Sequence, residues 1–475
     1  MGNVLYIAID QGSHATRALA YNDSGDVIAQ SRYPVDTYRP SSGMVEVDPE
    51  QMVASVTDVI KEVIGKVSNV DSGKISVGLA TQRSTIACWN RKTGDALCPL
   101  ISWQDTRASE WLAQFSEHES EIHERTGLFM SAHYGVSKLR WCLDNVPAVK
   151  QAMVGGRLAV GPLSSFLTFR IMDDHPLYVD PANAARTLLW NYRHSSWDEN
   201  LLALFGIPRE ILPKGAMSRY EFGKLIPECG HFPLEIVTGD QSAAIFAQGK
   251  PDKNTAIINI GSGAFVLRVT DQTDHISDRM LGGVVYEDAD TKIQVIEGTV
   301  NGAGNALDWF KREFDCVDLE SHLEQWLEEV DNPPLFVNGV SGVGSPYWLS
   351  NLESRFYGEA DLAAMAVGLI ESIVFLIQSN LDEMNAVMAV PETIRISGGL
   401  TQQDALCQKI ADLSRIRVFR SEESESTARG LACLLAGFPA SWSENIKGEW
   451  FEPNNNQNLH SRYREWSELM DGINT

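Results

Sequence analysis

The 475-residue chain has few cysteines and a shortage of positive charge. Its seven cysteines are scattered, and no two of them form a Cys-x-x-Cys pair. We therefore expect neither a disulfide framework nor a zinc site, and a reducing cytoplasm is the compartment that this pattern favours. The chain has 39 Lys and Arg against 63 Asp and Glu, a formal net charge of −24. This balance disfavours binding to nucleic acid or to an anionic membrane.

We expect neither a signal peptide nor a membrane-spanning segment in this chain. The N-terminal run "VLYIAI" is short and no basic residue precedes it, so it does not resemble a signal peptide. The run "GLIESIVFLI" is interpreted as a buried core helix, and no stretch is expected to reach membrane-spanning length. The chain is too long for one hydrophobic core, which predicts a soluble protein of two or three domains.

The stretch "DQGS" at residues 10–13 lacks the motifs of the common nucleotide-binding loops. No further glycines follow Gly12 at dinucleotide-fingerprint spacing, and no Lys-Ser/Thr pair marks a Walker loop. The following "TRALAYN" alternates with period two and ends at the turn "DSGD", which predicts that "DQGS" is the tip of a β-hairpin. Backbone amides at this tip could bind an anion, and Asp10 could hold a metal ion through water. An ordinary hairpin with an exposed Asp is the alternative.

A similar hairpin is predicted near residue 257, in "AIINIGSGAFVLRVTDQTDH". An offset of 249 residues places Gly12 and Ser13 over Gly261 and Ser262, and the flanking strands then align. Two strand–Gly-Ser–strand hairpins half a chain apart indicate a duplicated domain with a phosphate-binding turn in each half. Chance similarity is the alternative, because strand–turn–strand units are common.

Helices alternate with strands in both halves, which predicts an α/β fold with mixed sheets flanked by helices. In the first half Asp48 is a candidate N-cap and Pro49 the first helical residue, followed by a buried strand in "KISVGLATQ". In the second half a long helix precedes the strand of "TIRISGGL". The polar turn "AQGKPDKN" near 245–255 suggests the crossing between halves, and we expect domains at 1–247 and 248–475.

Ten segments in a fixed order resemble the FGGY family of carbohydrate kinases, within the actin-like ATPase superfamily, and among them the glycerol kinases most. They are "DQGSHATRA", "GLATQRSTIACWNRKTGDALCPLISWQDTR", "TGLFMSAHYGVSKLRW", "DPANAARTLLWN", "GIPREILP", "TGDQSAAIFAQ", "NIGSGAF", "IEGTVNGAGNALDWF", "GSPYW" and "SGGLTQQ". The resemblance implies two actin-like (ribonuclease H-like) domains, with ATP and a sugar or polyol meeting in the cleft between them. It also implies Mg²⁺ as a cofactor, and a homodimer as the default assembly.

Phosphoryl transfer needs a phosphate cradle, a divalent metal and a group that orients the attacking hydroxyl. The resemblance implies that Asp240 is the general base and that Asp10 holds Mg²⁺ through water. The residues that the resemblance and the turns assign to ATP binding are Gly12, Ser13, His14, Arg17, Gly261, Ser262, Gly304, Asp308, Gly398, Gly399 and Gln403. Arg17 could instead be an ordinary salt-bridge partner, Gly398 and Gly399 a plain strand-to-helix turn, and Asp308 stands where many glycerol kinases have glutamine.

The predicted acceptor site departs from the glycerol kinase pattern. Its candidate residues are Gln82, Arg83, Ser84, Trp103, His133, Asp240, Gln241 and Phe265. Ser84 stands where glycerol kinases have a glutamate that binds substrate hydroxyls, and His133 aligns with a tyrosine of the family. We therefore expect a sugar or polyol larger than glycerol. A true glycerol kinase, an actin-like or chaperone-like ATPase and a regulatory pseudokinase are the alternatives.

Overall fold

A computed structural model of the protein describes residues 4–67, 75–271, 277–444 and 446–474. The chain divides into two compact units, each made of three segments. Unit 1 consists of Met1–Pro251, Gly282–Gln294 and Glu425–Asn445, and unit 2 of Asp252–Leu281, Val295–Ser424 and Ile446–Thr475.

The strands are, in chain order, β1 (Leu5–Gln11), β2 (Ala15–Tyr21), β3 (Val27–Pro34), β4 (Glu46–Val47), β5 (Ile75–Thr81), β6 (Ile86–Asn90), β7 (Leu100–Ile101), β8 (Leu158–Pro162), β9 (Tyr178–Val179), β10 (Trp190–Asn191), β11 (Ser196–Trp197), β12 (Lys214–Gly215), β13 (Leu234–Gly239), β14 (Thr255–Ile260), β15 (Ala264–Thr270), β16 (Leu281–Glu287), β17 (Lys292–Val300), β18 (Leu335–Val337), β19 (Arg355–Tyr357), β20 (Thr393–Ser397), β21 (Arg417–Ser421) and β22 (Gly448–Phe451).

The α-helices are α1 (Pro49–Lys66), α2 (Ser109–Ala113), α3 (Glu119–Thr126), α4 (Gly135–Asn145), α5 (Pro147–Val154), α6 (Leu163–Ile171), α7 (Pro181–Ala184), α8 (Glu199–Phe205), α9 (Asp240–Ala244), α10 (Gly304–Glu313), α11 (Leu319–Glu329), α12 (Leu362–Val387), α13 (Asp404–Ser414), α14 (Ser426–Ala436), α15 (Ala440–Glu444) and α16 (Gln457–Asn474).

The main sheet of unit 1 has five strands in the order β13, β5, β1, β2, β3. The predicted first hairpin is confirmed: β1 pairs with β2 antiparallel, and the N–H of Gly12 donates to the carbonyl of Ala15 at 3.0 Å to close the turn. On its other side β1 runs parallel to β5, which runs parallel to β13. Parallel neighbours bring the carboxyl ends of β1, β5 and β13 to one edge of the sheet.

Unit 2 repeats this arrangement around the second hairpin. β14 pairs with β15 antiparallel and with β20 parallel, and β20 runs parallel to β21. The N–H of Gly261 donates to the carbonyl of Gly263 at 2.8 Å. The two turns differ by one residue, because four residues separate the pair Gln11 and Thr16, whereas three separate Ile260 and Ala264. The predicted repeat and the α/β class with mixed sheets are confirmed.

Helix α1 begins where the sequence predicts. The Asp48 carboxylate accepts hydrogen bonds from the N–H groups of Glu50 and Gln51, and Pro49 is the first helical residue. Proline is suited to this position because it has no N–H to leave unpaired and its φ is already helical. The apolar face of α1, which includes Met52 and Val56, is fully buried and packs against β2 and β3.

The expectation that no stretch reaches membrane-spanning length is wrong for helix α12. Its 26 residues, Leu362–Val387, are long and apolar enough to cross a membrane by length and composition. Of its most apolar window, however, 72% is buried inside the protein, and the helix packs against strand β18 and helices α11 and α13 among others. The predicted buried core helix is therefore confirmed.

A second sheet of unit 1 has the strand order β4, β7, β6, β8. Helix α4 lies against β6 at close range, because a Cβ on Gly135 would lie 2.7 Å from Cδ1 of Ile86. A side chain at this first helical position would therefore require Ile86 to move. The contact fixes α4 against the strand that follows the segment 82–85.

Candidate active site

Three predicted site segments meet at the carboxyl ends of β1, β5 and β13. The strand register places Gln11, Thr81 and Gly239 in one row across the three strands. Asp10 therefore lies one residue before this row, whereas Gln82 and Asp240 each follow it directly. Neighbouring strands are about 4.8 Å apart, so the backbones of β1 and β13 are separated by about 10 Å. In open α/β sheets ligands bind at this edge.

Asp10 is buried in an acidic setting. It is 7% exposed and lies across from Arg17 on β2. The nearest oxygen of its carboxylate is 3.8 Å from Arg17, whose guanidinium is also 3.6 Å from Glu425. Burial and then the charge of Asp240 raise the pKa of Asp10 to about 7, and Arg17 opposes this only in part. One arginine is thus shared among more carboxylates than it can neutralise.

Asp240 is the first residue of α9 and directly follows β13, which is the strand-to-helix position that the sequence predicts. The N–H of Gln241 donates to its carboxylate at 2.7 Å. Burial raises the pKa of Asp240, while the positive charge of Arg83 and the hydrogen bond from Gln241 lower it. A carboxylate whose pKa is raised toward the working pH is a suitable proton acceptor.

Arg83 lies over the end of β13. A Cβ on Gly239 would lie 2.5 Å from Cδ of Arg83, so a side chain there would displace the arginine from its present position. The Arg83 guanidinium donates to the side-chain oxygen of Gln241. The structure thereby brings together three predicted acceptor residues, Arg83, Asp240 and Gln241.

The turn of the first hairpin is hydrogen-bonded to the predicted acceptor segments. The indole N–H of Trp103 donates to Oγ of Ser13 at 2.8 Å, and Ser13 lies 3.5 Å from Oε1 of Gln82. The Gln82 amide in turn donates to the side chain of Gln11 at 3.2 Å. His14, in the same turn, is exposed. A ligand group held at Ser13 would therefore lie beside Gln82 and Trp103.

Ser84 is buried, whereas His133 is partly exposed. Ser84 has φ +64°, is 1% exposed, and its hydroxyl has no hydrogen-bond partner among the described residues. His133 packs edge-on against Trp103, with ring centroids 5.4 Å apart. Burial and nearby positive charges, Lys138 first, hold the pKa of His133 well below its usual range. The imidazole is therefore neutral at physiological pH and can both donate and accept.

Lys138 of α4 is a residue that sequence reasoning missed. It is 1% exposed, and its ammonium group donates to the backbone carbonyls of Ser84 at 3.0 Å, of Trp103 at 3.5 Å, and of His133. Burial lowers the pKa of Lys138 to about 7. A lysine on the apolar face of "GVSKLRW" was the signal that could have identified it. One side chain thus ties together three segments that each contain a predicted acceptor residue.

Arg186 is a second residue that was missed, although it lies in the quoted segment "DPANAARTLLWN". It is 7% exposed and belongs to the turn after α7, whose N-cap is the buried Asp180. Its positive charge lowers the pKa of both Asp240 and His133. Arg186 therefore contributes to the electrostatics of the same site.

In unit 2 the turn of the second hairpin contacts the start of α10. The N–H of Gly304 donates to the carbonyl of Gly261 at 2.9 Å, and the N–H of Asn305 to that of Ser262 at 2.9 Å. A Cβ on Gly304 would lie 2.8 Å from the Gly261 oxygen. Three of the predicted ATP-binding residues, Gly261, Ser262 and Gly304, are thus in direct contact.

Gly398, which directly follows β20, lies close to the same turn. Its φ of +108° and a Cβ position 2.4 Å from the carbonyl oxygen of Ile260 exclude any side chain. Gly399 follows it at the start of a 3₁₀ turn, where an added Cβ would meet nothing within 4 Å. The predicted "SGG" turn therefore lies directly against the strand that leads into Gly261, with open space at Gly399.

The remaining three predicted residues of unit 2 lie on different elements. Asp308 is one turn further along α10 and pairs with Lys311 at 2.9 Å on the surface. Gln403 precedes α13, and its side-chain oxygen is buried without a partner in the described part of the chain. Phe265 is on β15, across from Asn259. Phe265 belongs to unit 2, whereas the other predicted acceptor residues belong to unit 1.

The chain is similar to known carbohydrate kinases over nearly its whole length. The model of the FGGY family of carbohydrate kinases, N-terminal domain, matches residues 5–247, and that of the C-terminal domain matches 256–437. Glycerol kinase 1 of Pseudomonas aeruginosa is 29% identical over 93% of this chain and 91% of its own. The glycerol kinase of Alteromonas mediterranea is 30% identical over 91% of this chain and 90% of its own.

The fold is also that of solved structures of such kinases. Plasmodium falciparum glycerol kinase, solved with ADP, superimposes with a TM-score of 0.90 at 23% identity, covering 99% of this chain and 98% of its own. The fold is therefore the actin-like fold of these enzymes. With both domain models matched in order, the chain is an ATP-using phosphotransferase that belongs to the FGGY family of carbohydrate kinases.

Proposed function

We propose that the protein transfers the γ-phosphoryl group of ATP to a hydroxyl of a small sugar or polyol larger than glycerol, with Asp240 as the base. The observation that carries this proposal is the placement of Asp240 beside Arg83, at the same edge of the sheet as Gln82 and Asp10. These residues supply a proton acceptor, a positive charge and hydrogen-bonding groups within one small region. Phosphoryl transfer depends mainly on such positioning and charge.

Asp240 would act by orienting the attacking hydroxyl and by taking its proton. The transition state of phosphoryl transfer is loose, so the proton leaves late and orientation matters at least as much as basicity. Because its pKa is raised, the carboxylate of Asp240 is a stronger base than an exposed aspartate. The Gln241 N–H bond at 2.7 Å holds the carboxylate in one orientation.

The residues present fit a magnesium ion near Asp10. A buried carboxylate whose pKa rises to about 7 lacks compensating positive charge, and a divalent cation would supply it. Mg²⁺ prefers oxygen ligands and keeps several of its waters, so one carboxylate can hold it through water. When bound, Mg²⁺ neutralises charge on the phosphates of the nucleotide.

The geometry of each hairpin turn limits which of its groups can donate hydrogen bonds to a phosphate. The N–H groups of Gly12 and Gly261 close their own turns, so they are not directed at a ligand. We therefore propose that the N–H and hydroxyl groups of Ser13 and Ser262 donate hydrogen bonds to the phosphates. Glycine at the preceding position lets the backbone approach an anion closely.

The identity of the acceptor depends on Ser84 and His133. Without the glutamate of glycerol kinases, the site loses a charge-assisted hydrogen bond that a small triol needs. The neutral imidazole of His133 offers a donor and an acceptor for further hydroxyls. Glycerol itself is the second candidate, because both bacterial relatives compared above are glycerol kinases.

Release of ADP from ATP and Mg²⁺, with and without a panel of acceptors, tests the proposal. We expect slow release without acceptor and strong stimulation by at least one pentitol, ketopentose or ketohexose. Rapid release that no acceptor stimulates would instead indicate a switch ATPase. No release under any condition would indicate a pseudokinase and overturn the proposal.

A further inference from the structure

Three of the seven cysteines, far apart in the sequence, form one cluster in unit 1. The Sγ atoms of Cys88, Cys98 and Cys142 all lie within 4.8 Å of one another. Cys88 and Cys142 are buried, and Cys98 is partly exposed. All three are free thiols. The cluster takes no part in the phosphoryl transfer described above.

The three sulfurs are brought together by backbone contacts of β6, the loop after it, and α4. Cys88 is in the middle of β6, and the N–H of Leu97 donates to the carbonyl of Cys88 at 2.9 Å, which folds the loop carrying Cys98 back on the strand. Cys142 is one turn after Lys138 on the face of α4 that packs against β6. The site is therefore built by the fold and does not depend on a local sequence motif.

We propose that Cys88, Cys98 and Cys142 bind one thiophilic d¹⁰ metal ion, of the Zn²⁺ and Cd²⁺ class. Thiolate sulfur binds zinc at about 2.3 Å, so three sulfurs sharing one ion lie roughly 3.8–4.0 Å apart, and small side-chain shifts close the present spacing to that value. Soft thiolates select such metals over Mg²⁺, which prefers oxygen. The partial exposure of Cys98 supplies an entry path and room for water as a fourth ligand.

The charge of the cluster is compatible with this ligand set. Thiols bind metal as thiolates, so binding releases protons. Arg107 lies close enough for its positive charge to act on the thiols of Cys98 and Cys142. Arg107 is itself paired with Asp105 at 2.7 Å and Glu46 at 2.8 Å. A bound cation would offset the negative charge that three thiolates bring into a buried region.

Titration of the reduced, chelator-treated protein with Cd²⁺ tests the proposal, with thiolate-to-metal charge-transfer absorption as the readout. We expect one ion per chain, with at least tenfold weaker binding in Cys98→Ser. Cys316→Ser, which removes a cysteine outside the cluster, should bind as the wild type does. Equal binding by Cys98→Ser and wild type, or no charge-transfer band, would overturn the site.

A second measurement on the wild type avoids dependence on variants that fail to fold. Alkylation of the thiols under native conditions, mapped by mass spectrometry, should label Cys98 in the metal-free protein. One equivalent of Cd²⁺ should protect Cys98 at least tenfold. Unchanged labelling of Cys98 in the presence of Cd²⁺ would overturn the proposal independently of any substitution.

Discussion

The ammonium group of Lys138 lies 3.0 Å from the backbone carbonyl oxygen of Ser84 and also donates to the carbonyls of Trp103 and His133. These carbonyls belong to three separate segments of the chain. Because one buried amino group donates to all three, Lys138 would hold these segments of the proposed acceptor site in place without contacting the substrate itself. We regard Lys138 as a positioning residue.

Lys138→Met keeps the length of the side chain and removes the three hydrogen bonds. Each buried carbonyl left unpaired costs about 1–3 kcal/mol, so we expect a lower free energy of unfolding and at least tenfold higher KM for the sugar or polyol. The KM for ATP should change less than twofold. Lys138→Arg should restore part of the acceptor affinity, and the exposed Lys150→Met is the control. Equal effects on both substrates would indicate a merely structural role.

Asp240→Asn tests the proposed base. The amide keeps the shape of the side chain but cannot take a proton, so we expect kcat to fall by roughly two to four orders of magnitude. Binding of ATP, measured by calorimetry, should remain within about threefold. Asp290→Asn, at an exposed position, should leave kcat unchanged. Near wild-type kcat in Asp240→Asn would remove this residue from the mechanism.

Asp10→Asn should change how stability depends on pH. The pKa of Asp10 is about 7 in the folded protein against 3.8 in the unfolded chain, so the folded state holds an extra proton between these values. Its favourable contribution is fully present below pH 4 and is lost as the pH rises through 7. In chelator, Asp10→Asn should therefore equal wild type near pH 4.

Above pH 7 the free energy of unfolding of the same variant, measured in urea, should exceed that of wild type by on the order of 2–4 kcal/mol. If Asp10 holds magnesium, addition of Mg²⁺ and a nucleotide should stabilise wild type more than the variant and narrow this gap. A gap that is constant across the pH range would contradict the burial effect. A gap that Mg²⁺ and nucleotide leave unchanged would contradict the metal role.

Gly398 and Gly399 offer a matched pair for the proposed nucleotide site. Gly398→Ala places a Cβ 2.4 Å from the Ile260 oxygen and forces alanine to φ +108°, whereas Gly399→Ala meets open space. We expect Gly398→Ala to raise the KM for ATP at least tenfold and to lower stability by about 1–3 kcal/mol. Gly399→Ala should be close to wild type in stability. The opposite order of stabilities would show that the turn is not as described.

The local parts of this structure could be predicted from the sequence. Period-two alternation after Gly12 predicted the first hairpin, and similarity to that segment predicted the second hairpin at Gly261. The Asp48-Pro49 pair predicted the start of α1, because capping signals act over a few residues. The prediction that Asp240 follows a strand is also confirmed, because the signal for that strand is local. The roles of the individual site residues stay predictions.

Features that depend on tertiary packing could not be predicted. Lys138 was missed because its partners are carbonyls 5 to 54 residues away, whose positions are set by the packing of α4 on β6. The cluster of Cys88, Cys98 and Cys142 was missed because its spacing follows no motif. That α12 is long and apolar enough to span a membrane was missed because polar residues such as Glu371 interrupt its apolar run. In the structure Glu371 is buried and paired with Lys409 and Arg462.

Catalytic efficiency toward a matched panel of acceptors tests the central claim most directly. The panel is glycerol, erythritol, pentitols, ketopentoses and ketohexoses, each with saturating ATP and Mg²⁺. A missing charge-assisted hydrogen bond costs about 1.5–3 kcal/mol, so we predict that kcat/KM for glycerol lies roughly one to two orders of magnitude below that of the best longer acceptor. If glycerol gave the highest kcat/KM in the panel, the argument from Ser84 and His133 would be contradicted.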